Sequence, residues 1–314
     1  MSQAPPSALA QLLTDLIAGG SPRDSDLALF SDLGRPAVAW LRERWLEIPV
    51  ETRADILTRA TEAAEEDVSL DFRELGRIAI ADPIPEIREA AVLSLWETDD
   101  RDIAARLVAL LERDPAPGVR AAAAANLAGF VALYELGRLP AGEGEHALSA
   151  ARAAFEDASQ PVEVRAAAIE ALGPCSRPWV ADFIASAYES GERALRRSAV
   201  RAMGASGLDR WTEYLSDQLY SEDEEFRLEA AVAAGSLGSD DLVPPLGELL
   251  NDEDFDVVFA VIESLGEIGG EEASALLGEF REGAPPELIE VVDIALELAA
   301  RGGLFRRFGD PAGV

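Results

Sequence analysis

The chain has 314 residues, of which 48% are hydrophobic, and 59 acidic against 27 basic side chains give a formal net charge of −32. This apolar content excludes a disordered chain despite the charge. The charge opposes general nucleic-acid binding, which draws its affinity from Lys and Arg.

No apolar stretch is long enough to span a bilayer, and Leu9–Ile17 is interrupted by Asp15 and follows no basic residue, unlike a signal peptide. The single cysteine, Cys175, fits a reducing compartment. We therefore expect a cytoplasmic protein with no membrane contact.

The N-terminal residues 1–35 precede any repeated pattern, and their helical segment, residues 7–33, is predicted to cap the array that follows. A repeated helical pattern follows, weak in its first copy and clearer in the later ones. Residues that favour the start of a helix, such as Asp82, precede the clearer copies. The three upstream copies begin at Thr52, Ile87 and Val119.

One repeat is longer than the others. The 45 residues from Val119 to Val164 exceed the later period by 14, and the excess lies near 134–147. Gly and Pro in this stretch predict a break in the helix. We expect the insertion to project from the array as a flexible element.

Downstream, one pattern returns every 31 residues, and its apolar side chains recur at the spacing of one helix face. A second amphipathic segment, such as Ala105–Leu111, precedes each copy. The pattern predicts an all-α array of about eight helix pairs over residues 36–300, followed by a tail, residues 301–314. The downstream copies begin at Val164, Leu195, Phe226, Val257 and, more faintly, Leu288.

The motif Val-Arg-x-x-Ala-x-x-Ala-Leu-Gly, seen from Val164 to Gly173, resembles the HEAT repeat family. The likeness is to the short bacterial variety that also occurs in phycobilin lyase subunits, and it covers residues 36–300. This resemblance implies an α-α superhelix, a HEAT-repeat solenoid. It implies little about function, because one fold hosts many functions.

An arginine occupies the same position of most copies, and an aspartate stands six residues before it in two of them. Because this column belongs to the repeat signature itself, we interpret it as a structural ladder between repeats rather than an anion-binding stripe. Val258 and Ile289 replace the arginine, so the ladder should stop there. The predicted ladder residues are Asp82, Arg88, Asp114, Arg120, Arg165, Arg196 and Arg227.

The sequence offers no catalytic or metal-binding constellation. The acidic clusters lack EF-hand spacing, and His146 is the only histidine, which excludes the di-iron chemistry of HEAT-fold hydroxylases. We expect no metal, no cofactor and no catalytic residue. Cys175 is interpreted as a buried or semi-buried small side chain.

Two adjacent repeats place apolar side chains on the predicted concave face, where other repeats have small or charged ones. An apolar patch beside charge is typical of an interaction site, although a tight superhelix could instead bury these side chains. The predicted partner-binding residues are Leu228, Val232 and Phe259 together with Arg193, Arg197 and Arg201.

These patterns favour a non-catalytic scaffold or adaptor that binds a protein partner on its concave face. A phycobilin lyase-like or other assembly and maturation factor is the alternative, so lyase-type activity stays open. A DNA-repair glycosylase of the HEAT-like kind needs a basic groove, which the net charge opposes. The segment Gly302–Phe308 could cap the array or act as a docking motif.

Overall fold

The computed structural model describes residues 7–67, 69–95 and 98–302, and within these ranges all regular structure is helical. The prediction of an all-α fold of paired helices is confirmed. The chain divides into two compact units, residues 1–171 and 172–314. Of the tail segment predicted to cap or dock, Gly302–Phe308, all but Gly302 lies outside the described ranges.

Unit 1 opens with two short helices and continues as four helix pairs, the last of which ends at the unit boundary. Its helices are α1 Ser7–Ile17, α2 Asp24–Leu27, α3 Arg35–Arg44, α4 Val50–Glu66, α5 Arg73–Ala79, α6 Pro85–Leu93, α7 Arg101–Arg113, α8 Pro117–Glu135, α9 Ala141–Glu156 and α10 Val162–Leu172.

Up to residue 302, where the description ends, unit 2 contains four further pairs, which completes the expected eight. Short 3₁₀ turns stand before α13, α15 and α18 and after α15. Its helices are α11 Pro178–Tyr188, α12 Arg193–Ala205, α13 Thr212–Leu219, α14 Glu224–Leu237, α15 Val243–Glu248, α16 Phe255–Ile268, α17 Gly270–Gly283 and α18 Ile289–Ala300.

Local chemistry explains where many helices begin. Proline stands in the first turn of α3, α6, α8 and α11, where its missing N–H costs nothing. Asp100, Asp223 and Asp254 cap α7, α14 and α16 by accepting a hydrogen bond from a backbone N–H two residues on. The boundaries are therefore set by residues visible in the sequence.

The core of each unit is built from the apolar faces that the repeat pattern predicts. In unit 2 the second helices of the pairs pack in chain order, α12 on α14, α14 on α16 and α16 on α18. Alanines at the contact positions, such as Ala199, Ala230 and Ala260, are buried and allow close approach of the helices. This sequential packing is typical of an α-α superhelix.

The insertion near residues 134–147 is not a projecting loop, and that expectation was wrong. Its extra residues lengthen α8 and α9, leaving only residues 136–140 as a turn. Gly144 is buried, and a side chain there would collide with the ring of Tyr134, whose hydroxyl donates to Glu145 at 2.6 Å. Gly137 and Pro140 do break the helix, but the chain resumes a helix at once because Leu148 and Ala151 bring an apolar face to the core.

Candidate partner-binding surface

In unit 1 the arginine column joins consecutive repeats. Arg88 donates from Nε and Nη2 to both carboxylate oxygens of Asp114, each at 2.8 Å, and from Nη1 to the backbone oxygen of Asp82 at 2.9 Å. Asp82 in turn accepts from Arg53 and, at 2.7 Å, from Trp45 Nε1. Each aspartate therefore serves two repeats.

The ladder changes chemistry where the next repeat has serine in place of aspartate. Arg120 donates from Nε to Gln160 Oε1 at 3.2 Å, and Arg196 donates from Nη2 to Gln218 Oε1 at 3.2 Å. Arg165 donates to the backbone oxygen of Phe155 at 3.1 Å. A neutral acceptor thus takes the place of the ion pair at these positions.

The last rung lies in unit 2. Arg227 donates to both carboxylate oxygens of Asp252 at 2.7 and 2.9 Å and to the backbone oxygen of Ser221 at 2.9 Å. The hydrogen bond from Arg227 lowers the pKa of the Asp252 carboxyl below its usual value. At the next position Val258 is buried among apolar side chains, so it offers no charge for another rung.

Glycines set the spacing of the second helices in unit 2. A Cβ added to Gly204 would lie 2.5 Å from the backbone oxygen of Ala233, and one added to Gly266 would lie 2.9 Å from Ala295 Cα. The hydroxyl of Ser264, in α16, donates to the backbone oxygen of Ala231, in α14, at 2.8 Å. The close packing places equivalent positions of successive helices side by side on one surface.

The three predicted arginines lie on α12 one turn apart, and each is paired with acids of α14. Arg193 contacts Asp223 at 2.5 Å and Glu225 at 2.7 Å, and its guanidinium lies 5.3 Å from the ring centre of Phe226. Arg197 contacts Glu225 at 3.2 Å. The hydrogen bond that Arg193 donates to Asp223 raises the pKa of the Arg193 guanidinium above its usual value.

Arg201 and Arg197 both contact Glu229, a buried carboxylate on α14. Arg201 Nη2 donates to Glu229 Oε1 at 2.5 Å, and Arg197 Nε lies 3.7 Å from the same oxygen. The predicted arginines therefore belong to an ion-pair network that joins two helices. Their cationic charge is compensated within unit 2, which sequence reasoning did not foresee.

The predicted apolar residues do lie together on the surface of unit 2. Val232 is 45% exposed, whereas Leu228 and Phe259 are half-buried. Neither sequence-based alternative describes them fully, because part of each side chain packs between helices while the rest remains accessible. Their role in binding stays a prediction.

Two further residues extend this patch. Phe255 is 53% exposed and stands one turn before Phe259 on α16, and Ile294 on α18 is 63% exposed at the position equivalent to Val232. Sequence reasoning missed Phe255 because it precedes the repeat unit, and missed Ile294 because it lies in the faintest copy. We call Leu228, Val232, Phe255, Phe259 and Ile294 the apolar face.

Glu263 and Glu267 follow Phe259 on the same side of α16, each four residues after the one before. Partial burial raises the pKa of the Glu263 carboxyl above its usual value. Burial, followed by the negative charge of Glu263, raises the pKa of Glu267 in the same direction. Within the described ranges neither glutamate has an arginine partner.

The remaining sequence candidates are not residues of the apolar face. His146 is exposed on α9, with Nε2 3.7 Å from Glu112 Oε1, and Cys175 is buried. No group of three or more potential metal ligands occurs within the described part of the chain, and no helix there is long and apolar enough to cross a membrane.

The fold and the ladder together define a helical-repeat protein in which the arginines of the column bond to aspartates or, at other positions, to neutral acceptors. Residues 212–297, which span α13 to α18, match a family model described as HEAT repeats. The HEAT repeats that the sequence motif predicted are thus matched over α13 to α18. No curated protein sequence matches the chain.

Solved structures show similarity of helical architecture. The complex of CpcE and CpcF of phycocyanin lyase from Nostoc is 17% identical over 72% of this chain and 94% of that chain, with a TM-score of 0.47. Escherichia coli YibA is 15% identical over 96% and 100%, with a TM-score of 0.42. Human deoxyhypusine hydroxylase is 17% identical over 93% and 96%, with a TM-score of 0.38. Similarity at this level carries no argument about function.

Proposed function

We propose that the protein is a non-catalytic adaptor that binds a partner protein through the apolar face of unit 2. HEAT repeats in general mediate protein interactions, and the single observation that supports this face is its exposed apolar surface across α14, α16 and α18. Single exposed apolar residues are ordinary, but a contiguous group is typical of interaction sites. Burying it would remove apolar area from water, at about 25 cal/mol per Å² before the costs of association are subtracted.

The test compares two double variants of matched size. Val232→Ser with Ile294→Ser alters the face, whereas Leu46→Ser with Leu136→Ser alters unit 1 residues that are 61% and 67% exposed. All four side chains are accessible, so both variants should keep their helical circular dichroism and melting temperature.

Partners are captured from the native host with the wild type and the two variants, and they are identified by mass spectrometry. Each purified partner is then titrated with all three proteins to measure its Kd. We expect the Kd of the partner to rise at least about tenfold for the face variant and to stay near the wild-type value for the unit 1 variant. Equal affinity for all three chains would falsify the proposal.

A further inference from the structure

We propose that the apolar face takes a basic amphipathic segment of the partner, whose apolar side chains contact Val232, Phe259 and Ile294 while its Lys or Arg side chains pair with Glu263 and Glu267. This inference rests on the proposed function and adds the chemistry of the partner.

The two glutamates stand within the apolar face rather than beside it. Phe255, Phe259, Glu263 and Glu267 follow one another at four-residue spacing, so they form one stripe along α16. Val232 on α14 and Ile294 on α18 occupy positions equivalent to Glu263 in the adjacent repeats. A segment lying across these three helices would meet apolar side chains and carboxylates together.

The carboxylates of this stripe lack the compensation that the acids facing α12 have. Asp223, Glu225 and Glu229 are all paired with arginines of α12. Glu267 instead lies against bare backbone, because its Oε2 would be 2.5 Å from a Cβ on Gly235. Burial without a cation disfavours the charged form of both glutamates, and a cation supplied by a partner would reverse that effect.

Charge also selects among classes of partner. The arginines that could attract an acidic partner are engaged with α14, so the net charge presented at this surface is negative. An anionic membrane or a nucleic acid would be repelled by a chain of net charge −32. A helix with apolar residues on one side and basic residues on the other complements both features of the surface.

The first probe is a fluorescently labelled synthetic peptide of about 18 residues, with leucines on one helical face and lysines on the other. Its binding to three full-length proteins is measured by fluorescence anisotropy. They are the wild type, the double variant Glu263→Gln with Glu267→Gln, and the control double variant Glu271→Gln with Glu272→Gln. The control removes the same two charges from exposed positions on α17. Long-range attraction therefore weakens equally in both variants.

We expect the Kd of the peptide to rise at least about tenfold more for the α16 variant than for the α17 control. The melting temperature of the α16 variant at pH 7 should equal or exceed that of the wild type, since the half-buried Glu267 loses a charge that has no cation partner. Equal weakening in the two variants would overturn the inference, because binding would then reflect net charge alone.

Two comparisons complete the test. The first compares binding of the native partner by two double variants. If Val232→Ser with Ile294→Ser abolishes this binding but Glu263→Gln with Glu267→Gln does not, the proposed function stands and this inference fails. In the full chain, Arg306→Gln with Arg307→Gln should leave peptide binding unchanged. If this variant bound the peptide more tightly, the chain's own segment Leu304–Phe308 would be competing for the apolar face. That result would overturn the inference.

Discussion

At the scale of single residues, Glu229 shows how burial of a carboxylate decides how much its ion pairs contribute to stability. The carboxylate is buried on α14 and meets Arg197 and Arg201, while Glu225, one turn earlier on the same helix, is exposed and meets Arg193 and Arg197. Removing one partner of a buried pair strands the other group, whereas an exposed pair contributes little.

We therefore expect Glu229→Gln to lower the free energy of unfolding by about 1–2 kcal/mol, because hydrogen bonds to charged groups are lost where water cannot replace them. Glu225→Gln should change it by no more than about 0.5 kcal/mol. Urea unfolding followed by circular dichroism measures both values. Equal losses for the two variants would show that burial of Glu229 has no energetic consequence.

At the scale of helices, the glycines of unit 2 divide into those that form contacts and those that do not. Gly204 lies against the backbone of Ala233, whereas Gly278 in α17 has open space where a Cβ would stand. Gly278 lies in the interior of α17, where alanine is intrinsically favoured over glycine by about 1 kcal/mol, whereas Gly204 is the penultimate residue of α12. The tertiary contact is the main difference between the two positions.

Gly204→Ala should destabilise the protein by about 1–3 kcal/mol, because the new methyl group forces α12 and α14 apart. Gly278→Ala should stabilise it by about 0.5–1 kcal/mol through helix propensity alone. Thermal and urea unfolding of the two variants provide the comparison. If both were stabilised, the spacing of α12 and α14 would not depend on this glycine.

The sequence predicted the helices well because one periodic pattern encodes both the apolar face and the ladder. It could not predict the fate of residues 141–147, since glycines that disfavour a helix are overridden by the tertiary packing of Gly144 against Tyr134. Nor could it reveal that Arg193, Arg197 and Arg201 are compensated, because their partners lie 28–32 residues away in the chain and meet them only through helix packing.

At the scale of the whole molecule, the excess of acidic side chains dominates the electrostatics. The arginines of the ladder and of α12 are already paired, so the net charge of −32 falls on carboxylates without nearby cations. Such charge destabilises a compact state by repulsion, and salt screens it, with a Debye length of about 10 Å at 0.1 M.

We expect the melting temperature at pH 7 to rise by roughly 2–5 °C between about 0.05 and 0.5 M NaCl, as repulsion is screened. Near the isoelectric point of about 4.2 the same salt increase should have a smaller effect, since the repulsion is then already reduced. Differential scanning calorimetry at both pH values tests this. A melting temperature that falls with salt at pH 7 would mean that ion pairs between repeats outweigh the repulsion.

The close approaches of the second helices in unit 2 recur with one offset. Gly204 meets Ala233, Gly235 meets Ser264 and Gly266 meets Ala295, in each case 29 residues apart. Duplication of a 31-residue stretch of the gene would therefore create only junctions that unit 2 already contains. The same geometry allows the array to lengthen by whole modules during evolution or in protein engineering, each added module bringing its own portion of binding surface.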